Sequence, residues 1–147
     1  MVNTDRSYPE FTWSLSRHKT LMSCERKYAY SYYFSHKGWM KDRSQLTQDA
    51  YRLKKITNLE MYLGSVLHDM IDFSMTQYIK QRITPNETGW MEHLRTKLNR
   101  AYVDSVRHKR AWYDAPTKFT MLHEIYYEQE LDRDKVQEIN QRIDQCV

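Results

Sequence analysis

His68 and Asp72 stand four residues apart in LGSVLHDMIDFSM, which is one turn of a helix, so the two side chains can face each other. An imidazole beside a carboxylate serves either as a metal ligand with its orienting partner or as a general base. The same spacing is also that of an ordinary surface pair, contributing roughly 0.2–0.5 kcal/mol. No second metal-type cluster accompanies it. Pro9-Glu10 followed by Glu25-Arg26-Lys27 has the acid-then-ExK order of a metal-dependent nuclease. That chemistry needs carboxylates converging on a divalent ion. Glu25 and Lys27 fall two apart on a predicted helix and point in different directions, so the match fails. The chain has no glycine-rich phosphate loop, nucleophile elbow or HExxH zinc helix.

Charge and aromatic side chains coincide in one region. Residues 17–55 carry ten Lys or Arg against three acids, interleaved with Tyr28, Tyr30, Tyr32, Tyr33, Phe34 and Trp39. Residues 120–147 carry seven acids against three bases. Cations beside aromatic faces supply what a single-stranded nucleic acid needs, phosphate neutralisation and stacking. The plainer alternative is a solvated basic face whose tyrosines belong to a core.

The elements holding these residues are predicted to be helices. Three Gly and three Pro make about 4% of the 147 residues, against roughly 12% in average usage, which leaves little turn material for hairpins. Leu, Ile, Val and Phe number only 28, but 12 Tyr, 8 Met and 4 Trp compensate, and the net charge is +4. The chain is expected to fold as a single domain or a large piece of one, with a core rich in aromatic and Met side chains. Six helices are predicted. The first is capped by Ser14 or Ser16 and runs to His36, with Leu21, Tyr28 and Tyr32 as its apolar stripe and Met22 or Cys24 between. The second spans 45–57 with Leu46, Ala50, Leu53 and Ile56 or Thr57; the third spans 59–82, capped by Asn58, with Leu63, Leu67, Met70, Ser74 and Tyr78 on one side. Gly64 inside it costs ~1 kcal/mol relative to Ala and is expected to serve close packing or a ligand. The fourth opens at a capping box of Thr84, Pro85 and Glu87 and runs to 112 through Trp90, Leu94, Leu98, Ala101, Ser105 and Trp112. It is the longest predicted helix, roughly 40 Å. A short fifth follows Pro116 with Phe119, Leu122 and Tyr126, and a sixth, capped by Asp132, carries Val136, Ile139 and Ile143. That helix is still periodic at Val147, with no stop signal, and the chain is expected to end where a protein continues. No uncharged stretch approaches the ~18 residues of a membrane span, and the N-terminus lacks a signal pattern. Cys24 and Cys146 share no metal-type spacing, and two thiols in an unstapled chain suit the cytoplasm.

Three segments in order carry a family resemblance. FTWSLSRHKTLMSCERKYAYSYY resembles the Ser-x-Ser … Cys-x-Arg-x-Tyr-x-x-x-Tyr-Tyr opening of RecB-like nucleases. These belong to the PD-(D/E)XK superfamily and include AddB-type and CRISPR-associated exonucleases. AYRLKKITNLEMYLGSVLHDMIDFSM is similar to the family's Leu-Gly-x-x-x-His motif, and PTKFTMLHEIYYEQELDRDKVQEINQRIDQCV to the helical insert before its catalytic sheet. The resemblance implies that His68 is the motif-one histidine beside a Mg or Mn site. It places Ser14, Ser16, Arg26 and Tyr28 along a DNA path, and Cys24 where iron–sulfur members have their first cluster ligand. The other three cysteines of such a cluster would lie beyond this chain, and Cys146 does not match them, which speaks against a cluster here. The metal-binding Asp and the ExK segment, which follow the insert in the family, are absent from this sequence.

The leading expectation is therefore an all-α chain, the helical DNA-guiding portion of a larger α/β nuclease domain whose catalytic sheet is missing, itself inactive and holding no cofactor. Its partner is DNA, single-stranded or an end, contacted by Ser14, Ser16, Arg26, Lys27, Tyr28, Tyr30 and Tyr33. Tyr30 and Tyr33 are the stacking residues, on the side away from Tyr28 and Tyr32. The face left by the missing sheet favours self-association. Two alternatives stand beside it: a stand-alone helical nucleic-acid-binding or protein-interaction module without catalysis, and an unrelated all-helical regulatory protein.

Overall fold

The computed structural model describes residues 8–84, 86–129 and 133–145. Of these, 72% are helical and none belongs to a strand, so the chain is all-α as its composition predicts. It divides into two compact units, residues 1–55 and 56–147.

The first unit contains α1 (Leu15–Ser23), α2 (Glu25–Ala29), a π-helical segment (Tyr30–Phe34) and α3 (Gln45–Lys55). The single helix expected from Ser14 to His36 is thus divided. Ser14 caps α1, its Oγ accepting from the Arg17 N–H (3.2 Å). Cys24 is extended (φ −164°, ψ 109°), and its thiol accepts from the Lys27 N–H (3.4 Å) as the cap of α2. Leu21 and Met22, predicted on the inward stripe, are exposed, as is Cys24. On α3, Ala50 and Tyr51 are buried while Leu46 and Leu53 are exposed. Tyr51 takes the inward place by meeting Trp39 edge-on, with ring centroids 5.4 Å apart.

The second unit contains α4 (Leu59–Gln81), α5 (Glu87–Arg107), α6 (Lys109–Asp114), α7 (His123–Tyr126) and α8 (Arg133–Gln145). Asn58 caps α4 as predicted, its Oδ1 accepting from the Met61 N–H (2.7 Å), and Glu124 Oε1 accepts from the Leu59 N–H (3.2 Å). The predicted fourth helix begins later than expected, with Asn86 rather than Thr84 in the cap position. Pro85 and the Glu87 side chain lie outside the described residues, as do Asp132, Cys146 and Val147. That helix also breaks at His108, so α4, at 23 residues, exceeds α5 at 21 and is the longest described.

One apolar core holds this unit together: Leu63, Val66 and Met70 of α4, Leu94 and Leu98 of α5, and Ile139 and Ile143 of α8. The inward stripe of α4 is displaced from the predicted one. Val66 is fully inside, Leu67 only packs against the core, and Tyr78 is exposed. Past α6 the chain returns along α5. Buried Ser105 accepts from the Leu122 N–H (2.8 Å), and Asp104 accepts from the Thr120 N–H (3.4 Å) and pairs with His108 Nδ1 (3.2 Å). The returning segment then joins Thr57 by two backbone bonds, Thr57 N to the Met121 carbonyl (3.1 Å) and His123 N to the Thr57 carbonyl (2.8 Å). Met121 and Leu122 are fully buried there.

Candidate nucleic-acid interface

The basic, aromatic stretch lies in the first unit, and the π-helical segment decides how its rings are arranged. Ser35 N–H bonds to the Tyr30 carbonyl, five residues back (3.1 Å). The wider turn brings residues five apart onto one side, where an α-helix would separate them. Tyr28 therefore meets both Tyr32 (centroids 5.1 Å) and Tyr33 (5.7 Å). Tyr33 was expected on the side away from Tyr28; instead it joins the Tyr28 cluster, because the sequence spacing assumes an α-helix. Tyr30 turns the other way and packs on Phe34, centroids 5.1 Å apart, and both rings stay exposed.

Cations from two helices converge on the tyrosine cluster. The Arg17 guanidinium of α1 lies 4.6 Å from the Tyr32 ring centre, and Lys54 Nζ of α3 lies 5.4 Å from it. Arg17 also donates to the Thr12 carbonyl (2.9 Å), and Lys54 to the Ser31 carbonyl (2.7 Å). Burial, and then the nearby charges of Lys55 and Arg17, hold Lys54 below the usual ammonium range. A hydrogen bond with Tyr33 raises the Tyr28 phenol above its ordinary range, with burial adding to it. Tyr28, Tyr32 and Tyr33 are thus half-buried, mutually packed rings with Arg17 and Lys54 over Tyr32, whereas Tyr30 and Phe34 form an exposed pair. Phe34, Arg17 and Lys54 were not singled out from sequence. Only their membership in the basic stretch signals them, since their convergence depends on α3 folding back.

The other predicted residues are dispersed. Arg26 and Lys27 are exposed on α2, and no ion pair engages their side chains among the described residues. Ser14 is committed to capping and lies 3.0 Å, Oγ to Oγ, from Ser16, which is exposed. Cys24 is a free, exposed thiol engaged as a cap.

In the second unit His68 and Asp72 are both exposed on α4, and no hydrogen bond or ion pair joins them among the described residues. No group of three or more His, Cys, Asp or Glu converges there or elsewhere among the described residues. The Mg or Mn site implied by the family resemblance is therefore not furnished by these side chains, and Cys24 has no neighbouring ligand for a cluster. Gly64, expected to serve close packing, has nothing within 4 Å of where a Cβ would lie. No helix among the described residues is long and apolar enough to cross a membrane. Comparison with protein-family models, curated proteins and solved structures finds no match to this chain.

Proposed function

We propose that the first unit binds single-stranded nucleic acid, and that within a RecB-like nuclease architecture this chain guides the strand without cleaving it. The observation that carries this reading is the Tyr30–Phe34 pair. Two exposed, mutually packed rings lie in a segment where cations outnumber acids ten to three, directly after the unpaired Arg26 and Lys27. Exposed aromatic faces accept bases of any sequence, and the free cations neutralise phosphates. Arg17 and Lys54, both over the Tyr32 ring, add two further cations to the same segment.

The test is fluorescence anisotropy with labelled oligonucleotides at several salt concentrations. Affinity should fall on the order of tenfold or more between low and moderate salt. Arg26→Ala or Lys27→Ala should weaken binding to all sequences alike and reduce the salt slope by about one. Tyr30→Ala should cost ~1–3 kcal/mol of binding with the melting temperature nearly unchanged. The same mixtures with Mg or Mn should show no cleavage. Absence of binding in dilute buffer, or salt-independent binding, would reject the proposal.

A further inference from the structure

Helices α4 and α5 are joined by a short connection and share an apolar core, so they run antiparallel as a helical hairpin. Between them, wholly within the second unit, lies a cavity of about 620 Å³. That is within the roughly 300–1,000 Å³ of small-molecule sites. Val66 and Met70 line it from the core. The rest of its lining is graded. Followed along both helices away from the connection, Ile83, Phe73 and Trp90 come first, then Asp69 and His93, then Lys97. The end beside the connection is therefore apolar and aromatic, and charges of both signs follow it.

These groups are left open by the chain itself. Phe73 and Trp90 meet no other ring and no cation among the described residues, and Phe73 is 63% exposed. Asp69 and Lys97 line one cavity with opposite charges. No ion pair or hydrogen bond joins them to each other or to any other side chain among the described residues. A ligand with a single charge would pair one of them and leave the other unpaired beside an apolar surface. A net-neutral ligand carrying both charges satisfies each, its ammonium on Asp69 and its carboxylate on Lys97. His93 can hydrogen-bond either group. The grading adds a further requirement, an aromatic body that packs against Phe73 and Trp90.

We infer that the cavity between α4 and α5 binds a small aromatic zwitterion, of which a free aromatic α-amino acid is the simplest. Its ring lies against Phe73 and Trp90, its ammonium at Asp69 and its carboxylate at Lys97. The site belongs to the second unit alone, so it is independent of nucleic-acid binding by the first. Asp69 is exposed and Lys97 half-buried, so solvent screens both charge pairs and each contributes only a few-fold in affinity.

Calorimetric titration of the dialysed full chain with tryptophan, tyrosine and phenylalanine tests it, alongside tryptamine and indolepropionate, which each lack one charge of tryptophan. Tryptophan should bind saturably and roughly threefold or more tighter than either single-charge relative. Asp69→Asn should erase the preference for tryptophan over indolepropionate, and Lys97→Gln the preference over tryptamine. Each variant should keep the melting temperature of the parent, and either one gives the reading should the other fail to fold. Ser65→Trp, which places a large ring in the cavity from α4, should block all five compounds. In NMR spectra the Trp90 indole N–H should shift as tryptophan is added. No saturable binding at millimolar concentration would overturn the inference. So would tryptamine or indolepropionate binding as tightly as tryptophan, preferences unchanged in both charge variants, or a Trp90 signal that stays in place.

Discussion

Gly38 and Gly64 show how much one hydrogen atom in place of a methyl group decides. A Cβ on Gly38 would lie 2.4 Å from both the Thr47 carbonyl oxygen and Tyr51 Cβ, neither of which can swing aside. Gly38→Ala should therefore destabilise the first unit by about 1–3 kcal/mol in urea denaturation, the usual cost of overpacking. Gly64→Ala meets no atom and gains helix propensity, so it should stabilise α4 by up to ~1 kcal/mol. The sequence marks Gly64 as the unusual glycine because it sits inside a helical pattern, and Gly38 as a simple helix stop. The reversal depends on Tyr51 packing back over residue 38, a contact with no local signature. His36, beside Gly38, is held below the ordinary imidazole range by burial first and then by the charges of Lys37 and Arg43. The unfolded chain binds this proton at a higher pH than the folded one. The associated stability is present above the unfolded value and is lost as pH falls through the folded one. NMR titration should find His36 protonating below its value in an unfolded peptide. Lys37→Asn, which keeps the residue's left-handed backbone accessible, should return only part of the shift because burial is the larger cause.

At the scale of elements, Ser105 fixes where the chain goes after α6. Its hydroxyl accepts from the Leu122 N–H and lies 2.7 Å from the Ala101 carbonyl and 3.2 Å from that of Thr120, all at the buried seam between α5 and the returning segment. Ser105→Ala leaves the Leu122 N–H without its partner in a dry site. It should cost about 1–3 kcal/mol of second-unit stability, measured by chemical denaturation. Ser105 read from sequence as one more small residue on the stripe Leu94, Leu98, Ala101, and that placement is correct. The all-α character, the helix starts at Ser14, Gln45 and Asn58, the inward face of α5 and the pair Ile139 and Ile143 of α8 were legible because each follows from a 3.6-residue period or a capping residue. Val136, expected inward on α8, is exposed, and the helix expected from Pro116 begins only at His123. The interruptions at Cys24 and His108 were not legible. Both positions continue the apolar period, and what ends the helices is polar: a thiol turned to cap α2, and Asp104 holding His108 and Thr120. The π-helical turn at Tyr30–Phe34 was equally hidden, and with it the division of the tyrosines into a supported cluster and an exposed pair.

Across the whole molecule, charge and burial are divided between the two units in opposite senses. Residues 1–55 carry eleven Lys or Arg against five acids, and residues 56–147 twelve against fourteen, so the net positive charge belongs to the first unit. The apolar cluster that joins three helices belongs to the second, whereas the buried side chains described in the first are Ser35, Ala50 and Tyr51. A unit with so little buried apolar surface opens at lower free energy than one built on Leu94, Leu98 and Ile143. Hydrogen exchange on the full chain should accordingly show α3 exchanging well before the centre of α5. A ligand that binds only the folded state of its site stabilises that site by RT ln(1 + [L]/Kd), about 2.7 kcal/mol at a hundredfold excess over Kd. If the Tyr30–Phe34 surface is the site, added oligonucleotide should slow exchange across α1 to α3 by up to about a hundredfold and leave the centre of α5 nearly unaltered. Tyr30→Ala should erase that protection. Protection that appears first along α4 and α5 would instead assign the nucleic-acid contact to the acidic unit, and the basic stretch would then be a solvated surface.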